Sequence, residues 1–189
     1  MQGSPDLPSA EEALTRLLEG NQRFASGKPE RPHQSPEWWK SLTTQHPFAC
    51  VLGCVDSRVP PELVFDQGFG DLFTVRSAGE TLDEMVIGSI EYGVEHLSIP
   101  LVLILGHSGC GAVSASIGYV KGDEAPRGEI MAVVRAIEGT VRATPGPRQV
   151  PRRLRRGAVR PDGWRAPRAL RHPRTPRQGA RSARAVRHL

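Results

Sequence analysis

The stretch FACVLGCVDSR, residues 48 to 58, is apolar through most of its length and then sets a cysteine, an aspartate and an arginine at alternate positions. The run from Phe48 to Val55 is nearly continuously apolar, which predicts a strand covered on both faces, as in a parallel sheet. Its polar end has two readings. One is a turn with scattered polar residues; the other is a metal site that already carries its supporting groups.

Two further apolar stretches, LFTVR (72–76) and LVLILG (101–106), predict strands, the second of them nearly continuously apolar like the first run. Between them TLDEMVIGSIEYGVEHL (81–97) has the length of a crossover helix, with Met85, Ile90, Val94 and Leu97 as its expected inner face. Strand, helix and strand of these lengths predict an α/β fold with a central, mainly parallel sheet flanked by helices. Ligands in such sheets gather at the carboxyl ends of strands, and both Cys54–Arg58 and Gly106–Gly111 fall there. Upstream, Ser9 stands three positions before Glu12 as a capping box, and Leu14, Leu17, Leu18 and Phe24 are expected on one face of a helix over 9–24. The polar, proline-rich KPERPHQSP (28–36) predicts an irregular connection.

The 189 residues fit one domain with a substantial core. Charge divides them sharply. Residues 1–141 hold 10 Lys and Arg against 19 Asp and Glu, whereas residues 142–189 hold 15 Arg and one acid, Asp162. The expected organisation is therefore a catalytic unit over 1–141 and an Arg/Pro/Ala-rich tail over 142–189, too poor in apolar residues to offset the entropy of ordering. Such a tail could bind nucleic acid or another anionic surface through its positive charge. Its abrupt change of composition favours an out-of-frame or relict C-terminus instead, so nucleic acid is not an expected partner. The odd count of three cysteines, with no basic and apolar leader at the start, predicts a cytoplasmic protein whose thiols serve as ligands. No apolar run approaches the ~20 residues of a membrane helix, so no membrane partner is expected.

Cys54, His107 and Cys110 are the candidate metal ligands. His107 and Cys110, in GHSGCGAV, are three apart in a glycine-rich turn after a buried strand, and Cys54 ends another strand. Three such ligands leave zinc one open position, the arrangement of catalytic rather than structural sites. Cys50 is a poor fourth ligand. Four strand rises separate it from Cys54 by roughly 13 Å, against zinc–sulfur bonds of ~2.3 Å. It is expected as a small buried apolar residue. Two thiolates and a neutral imidazole cancel the charge of Zn2+, so an acceptor beside the open position becomes useful. Asp56 suits that place, either as the acceptor or as a fourth ligand, with Arg58 holding it ionised and oriented.

At these residues the sequence resembles the β-class carbonic anhydrases, whose signature is Cys-x-Asp-x-Arg followed by His-x-x-Cys, here CVDSR (54–58) and HSGC (107–110). The likeness extends from about Ala10 to Val141 and includes GNQRF, VFDQGFGDLFTVRSAG and SIEYGV. It implies reversible hydration of CO2 to bicarbonate, with zinc on Cys54, His107 and Cys110 and the Asp56–Arg58 dyad gating the fourth position. It also implies that Gln45 hydrogen-bonds the substrate and that Phe73, Ala78 and Tyr92 line a small apolar pocket. Some of these walls come from a second subunit in the family, which implies a homodimer or a dimer of dimers. The tail departs from the family pattern of further helices and a further strand, so the C-terminal part of the fold is expected to be atypical or incomplete. Two other readings follow from that departure: an inactive zinc- or bicarbonate-binding relative, and a nucleic-acid binder acting through its basic tail.

Overall fold

Strand β1 (Ala49–Cys54) is buried at every position and lies in the middle of a three-stranded parallel sheet of order β2–β1–β3. The computed structural model describes residues 7–144. Its elements run α1 (Ala10–Ala25), α2 (Pro36–Ser41), β1, α3 (Pro61–Val64), β2 (Leu72–Ser77), a 3-10 turn (Ala78–Glu80), α4 (Glu84–His96), β3 (Val102–Leu105), α5 (Gly111–Lys121) and α6 (Ile130–Ala143). The register sets Cys54 opposite Ser77 and Gly53 opposite Leu105, so the three carboxyl ends open on one edge. The α/β class, the parallel pairing and all three strands follow the sequence expectation. Among the described residues no helix is long and apolar enough to cross a membrane.

The core joins Leu14 and Leu17 of α1, Val51 of β1, Phe65 after α3, and Leu101, Leu103 and Leu105 of the β3 segment. Among the described strands only β1 is buried throughout. In β3, Val102 and Ile104 are half-buried on one face, while Leu103 and Leu105 on the other join the core.

Two helix faces differ from expectation. The capping box of α1 forms, and Leu14 and Leu17 are buried, but Leu18 and Phe24 are exposed. Leu18, four residues past Leu14, lies about 40° beyond it, at the margin of the buried stripe. Near Phe24 the helix is held instead by polar contacts, Asn21 Nδ2 to Val64 O (3.1 Å) and Arg23 Nε to Asp66 Oδ2 (2.6 Å). In α4 the buried residues are Val86 and Gly93, with Ile90 and Leu97 half-buried, whereas Met85 is 79% exposed and Val94 42%. The cause is Gly93: a Cβ there would stand 3.0 Å from Ile99 Cδ1 and 3.3 Å from Phe73 Cδ1. The bare backbone is therefore the contact surface, which a search for large apolar residues passes over.

The irregular connection is fixed by buried acids. Asp66 accepts from the amides of Glu30 (3.0 Å) and Arg31 (2.9 Å) as well as from Arg23. Burial pushes its carboxyl up, but Arg23 and the two amides outweigh burial and hold it below the usual carboxylate range. Asp71 accepts from Arg16 (2.8 Å) and the Gly68 amide (2.8 Å), and its carboxylate meets His33 Nδ1 at 3.0 Å. The short α2, capped by Ser35, lay beyond the reach of periodicity. Helices α5 and α6 likewise go beyond the elements expected from sequence. The compositional boundary after Val141 falls within the last turn of α6, where Arg142 pairs with Glu138 at 2.7 Å. The rest of the tail, residues 145–189, lies outside the described residues.

Candidate metal centre

The carboxyl edge of the sheet delivers three donor side chains to one point. Cys54 ends β1, His107 follows β3, and Cys110 is the N-cap of α5. Gly109, at φ 68°, turns the short loop so that His107 and Cys110 face the same side. The ligand atoms of Cys54, His107 and Cys110 all lie within 4.8 Å of one another. The two sulfurs are 3.9 Å apart, far beyond a bond, and both cysteines are free. Two thiolates on one tetrahedral zinc, each at ~2.3 Å, sit about 3.8 Å apart, so the spacing fits the ion. His107 Nδ1 meets the Ser108 carbonyl at 3.1 Å, and Nε2 is buried without a partner. An orphaned imidazole nitrogen facing two thiols is the signature of a site built for a soft-to-borderline cation.

The electrostatics divide the three donors, and Cys54 alone is shifted toward its ligand form. Burial pushes the Cys54 thiol up, but the amides of Gly79 and Asp56 and the His107 ring together bring it below its ordinary value. Burial and the neighbouring Cys54 hold Cys110 above it. His107 is raised, first by its contact with Cys54. Cys50 is fully buried in mid-strand, opposite Phe73 and Val102, and burial pushes its thiol up to about 12. It is an apolar core residue and no part of the cluster.

Asp56 and Arg58 form a bidentate pair. Arg58 Nε donates to Asp56 Oδ1 (2.9 Å), Arg58 Nη2 to Oδ2 (2.7 Å), and the Arg58 amide to Oδ1 (2.9 Å). These contacts hold the Asp56 carboxyl well below the usual carboxylate range. Its Oδ2 is 3.9 Å from His107 Nε2, so the carboxylate borders the cluster. Arg58 also reaches the Gly109 carbonyl (3.3 Å), tying the loop of Cys54 to that of Cys110.

The four expected pocket residues are placed unequally. Ala78 follows Ser77, the residue paired with Cys54, and so lies beside the cluster. Gln45 is exposed and precedes β1, whose length alone separates the strand ends by roughly 16 Å. Phe73 pairs with Cys50, near the start of β2, and stacks on Tyr92 of α4 at 6.4 Å. Within one chain the fold does not bring Gln45, Phe73 or Tyr92 to the donor atoms.

Two residues near the centre gave no clear signal in sequence. Arg76 donates through Nε to the Cys54 carbonyl and through Nη2 to the Asp56 carbonyl, each at 2.7 Å, and so anchors the ligand loop to β2. An arginine inside an otherwise apolar strand was the available cue. Glu80 has φ 51° and a buried Oε1 without a partner; burial raises its carboxyl while His107 pulls it down. Nothing in its spacing marks it.

The carbonic anhydrase family model matches residues 49–157. The chain belongs to the β-class carbonic anhydrase family. The chain is 45% identical over 130 residues to carbonic anhydrase 2 of Mycobacterium tuberculosis, an alignment covering 68% of this chain and 63% of that relative. It thus spans less than two thirds of the relative's length. Among solved structures it is similar to the Coccomyxa β-carbonic anhydrase bound to acetazolamide, with TM-score 0.52, 28% identity, and 69% of this chain and 58% of that one covered. It is also similar to a tetrameric β-carbonic anhydrase of Sordaria macrospora, with TM-score 0.50, 26% identity, and 70% and 65% covered. The β-carbonic anhydrase fold expected from CVDSR and HSGC is the fold of these neighbours.

Proposed function

We propose that this chain catalyses the reversible hydration of carbon dioxide to bicarbonate and a proton, with one zinc ion held by Cys54, His107 and Cys110. The observation that carries the proposal is the convergence of those three donor atoms within 4.8 Å beside a clamped carboxylate. When bound there, zinc supplies a nucleophile from water near neutral pH. The protein's own groups do the rest. Asp56, kept ionised, is an acceptor only, so it orients a proton-bearing oxygen at the centre and turns its lone pair toward the substrate. Arg58 gives Asp56 Oδ2 a single donor, which leaves that oxygen a lone pair and supports the acceptor role; Asp56 as a fourth ligand would use the same lone pair. Ala78 supplies apolar wall beside Cys54.

Gln45, Phe73 and Tyr92 complete the reading through assembly. Their distance from their own cluster supports a homodimer, or a dimer of dimers, in which such residues serve a partner's pocket; the tetrameric Sordaria relative supports the larger form. We assign residues 1–141 to the catalytic unit and 142–189 to an appended Arg-rich segment, and place the enzyme in the cytoplasm in carbon utilisation.

Zinc-loaded protein assayed by stopped flow is expected to hydrate CO2, to lose that activity to a chelator and to regain it with zinc. A zinc-replete chain without activity would point instead to a noncatalytic binding relative.

A further inference from the structure

We propose that Ile137 of α6 is a positioning residue for the metal ligand Cys54, acting through the backbone of Gly79. The inference rests on the metal-centre reading and extends it to a helix that carries no ligand.

Gly79 touches three parts of the molecule at once. Its amide donates to Cys54 Sγ at 3.3 Å. A Cβ built on it would stand 2.7 Å from Ile137 Cδ1 and 2.9 Å from Ala112 Cβ, so its Cα is packed directly against α6 and α5. Ala112 is two residues past Cys110, the other thiol of the cluster. The turn is thus gripped between the strand that ends in one sulfur ligand and the helix that begins at the other, with Ile137 closing the grip. Ile137 itself is buried.

The turn needs such support. Gly79 (φ 66°) and Glu80 (φ 51°) are successive residues in the left-handed region, and Glu80 has a Cβ that disfavours it. Conformations of this kind persist where the surroundings over-determine them. Ile137 and Ala112 are the side chains that press on Gly79. What they hold in place is an N–H aimed at a thiolate, a charge-assisted bond that fixes the direction of a ligand lone pair. Loosening Ile137 lets the amide drift from the sulfur, and the ligand loses its orientation while its chemistry is unchanged.

Ile137→Val removes only Cδ1, the atom nearest Gly79, and Ile137→Ala removes more. Val134→Ala is the control: Val134 is fully buried on the same helix, its carbonyl accepts from Ser116 Oγ at 3.3 Å, and the atoms nearest a Cβ built on Gly79 belong to Ile137 and Ala112 instead. Zinc affinity is measured by competition with a chromogenic chelator, and the thiolate-to-metal charge-transfer band is read on the cobalt-substituted protein, under conditions where circular dichroism finds each variant folded. Ile137→Ala is expected to weaken zinc binding about 10-fold to 100-fold, the range for loss of an outer-shell partner, and to shift the cobalt band. Ile137→Val should move both readouts the same way by less, and it decides the matter if the alanine variant does not fold. Val134→Ala should lower the melting temperature yet leave both readouts at wild-type values. Equal zinc losses in Ile137→Ala and Val134→Ala, or wild-type affinity in the Ile137 variants, would overturn the proposal. A wild-type chain that takes no zinc would instead remove the metal-centre reading on which it stands.

Discussion

Cys110→Ser is expected to leave the chain nearly free of zinc after purification from zinc-supplemented medium, and to reduce CO2 hydration to the uncatalysed background. Loss of an outer-shell partner of a zinc ligand costs up to ~100-fold in affinity, and loss of one of three ligands should exceed that. Serine keeps the shape but not the soft thiolate that the Cys54–Cys110 spacing is built for. Cys50→Ser supplies the contrast. Cys50 is fully buried between β2 and β3, so its replacement strands a hydroxyl and costs stability on the order of 1–3 kcal/mol. Its zinc content should stay near one per chain. Metal analysis and stopped-flow assay of the two variants together distinguish them, and the reverse pattern would make Cys50 a ligand.

Asp56→Ala and Arg58→Ala should separate metal binding from turnover. Neither removes one of the three proposed ligands, so zinc should remain near one per chain. Hydration should fall by about 10²-fold or more, the lower bound for a positioned proton acceptor. Arg58→Ala leaves the carboxylate in place but frees it from the two-point clamp of 2.9 Å and 2.7 Å. Arg58→Lys should recover little, since an ammonium cannot reproduce the planar fork. Activity retained in both alanine variants would remove the dyad from the mechanism.

The centre was legible in sequence because its chemistry is carried by short spacings. Cys54, Asp56 and Arg58 alternate along one strand end and turn, and His107 and Cys110 share one tight loop, so local geometry already places them. The sheet was legible for a related reason: a strand buried on both faces, such as β1, must be apolar throughout. What escaped the sequence depends on contacts between distant segments. The inner face of α4 is organised by Gly93, which has no side chain to register as apolar. The buried partners of the irregular connection, Asp66 and Asp71, are acids that a pattern of hydrophobicity assigns to the surface. Arg76 and Gly79 act on Cys54 across the β1–β2 pairing, which no spacing within either strand encodes. Gln45, Phe73 and Tyr92 are set apart from the centre by the length of the sheet, so their proposed part in the pocket belongs to assembly rather than to one chain.

The most direct test of the proposed centre is X-ray absorption at the zinc K-edge of the zinc-loaded full chain. Two sulfurs at ~2.3 Å and one imidazole nitrogen at ~2.0 Å, with one lighter donor completing the shell, are the expected neighbours. A first shell of three or four sulfurs, one without sulfur, or protein that retains no zinc would contradict the assignment of Cys54, His107 and Cys110.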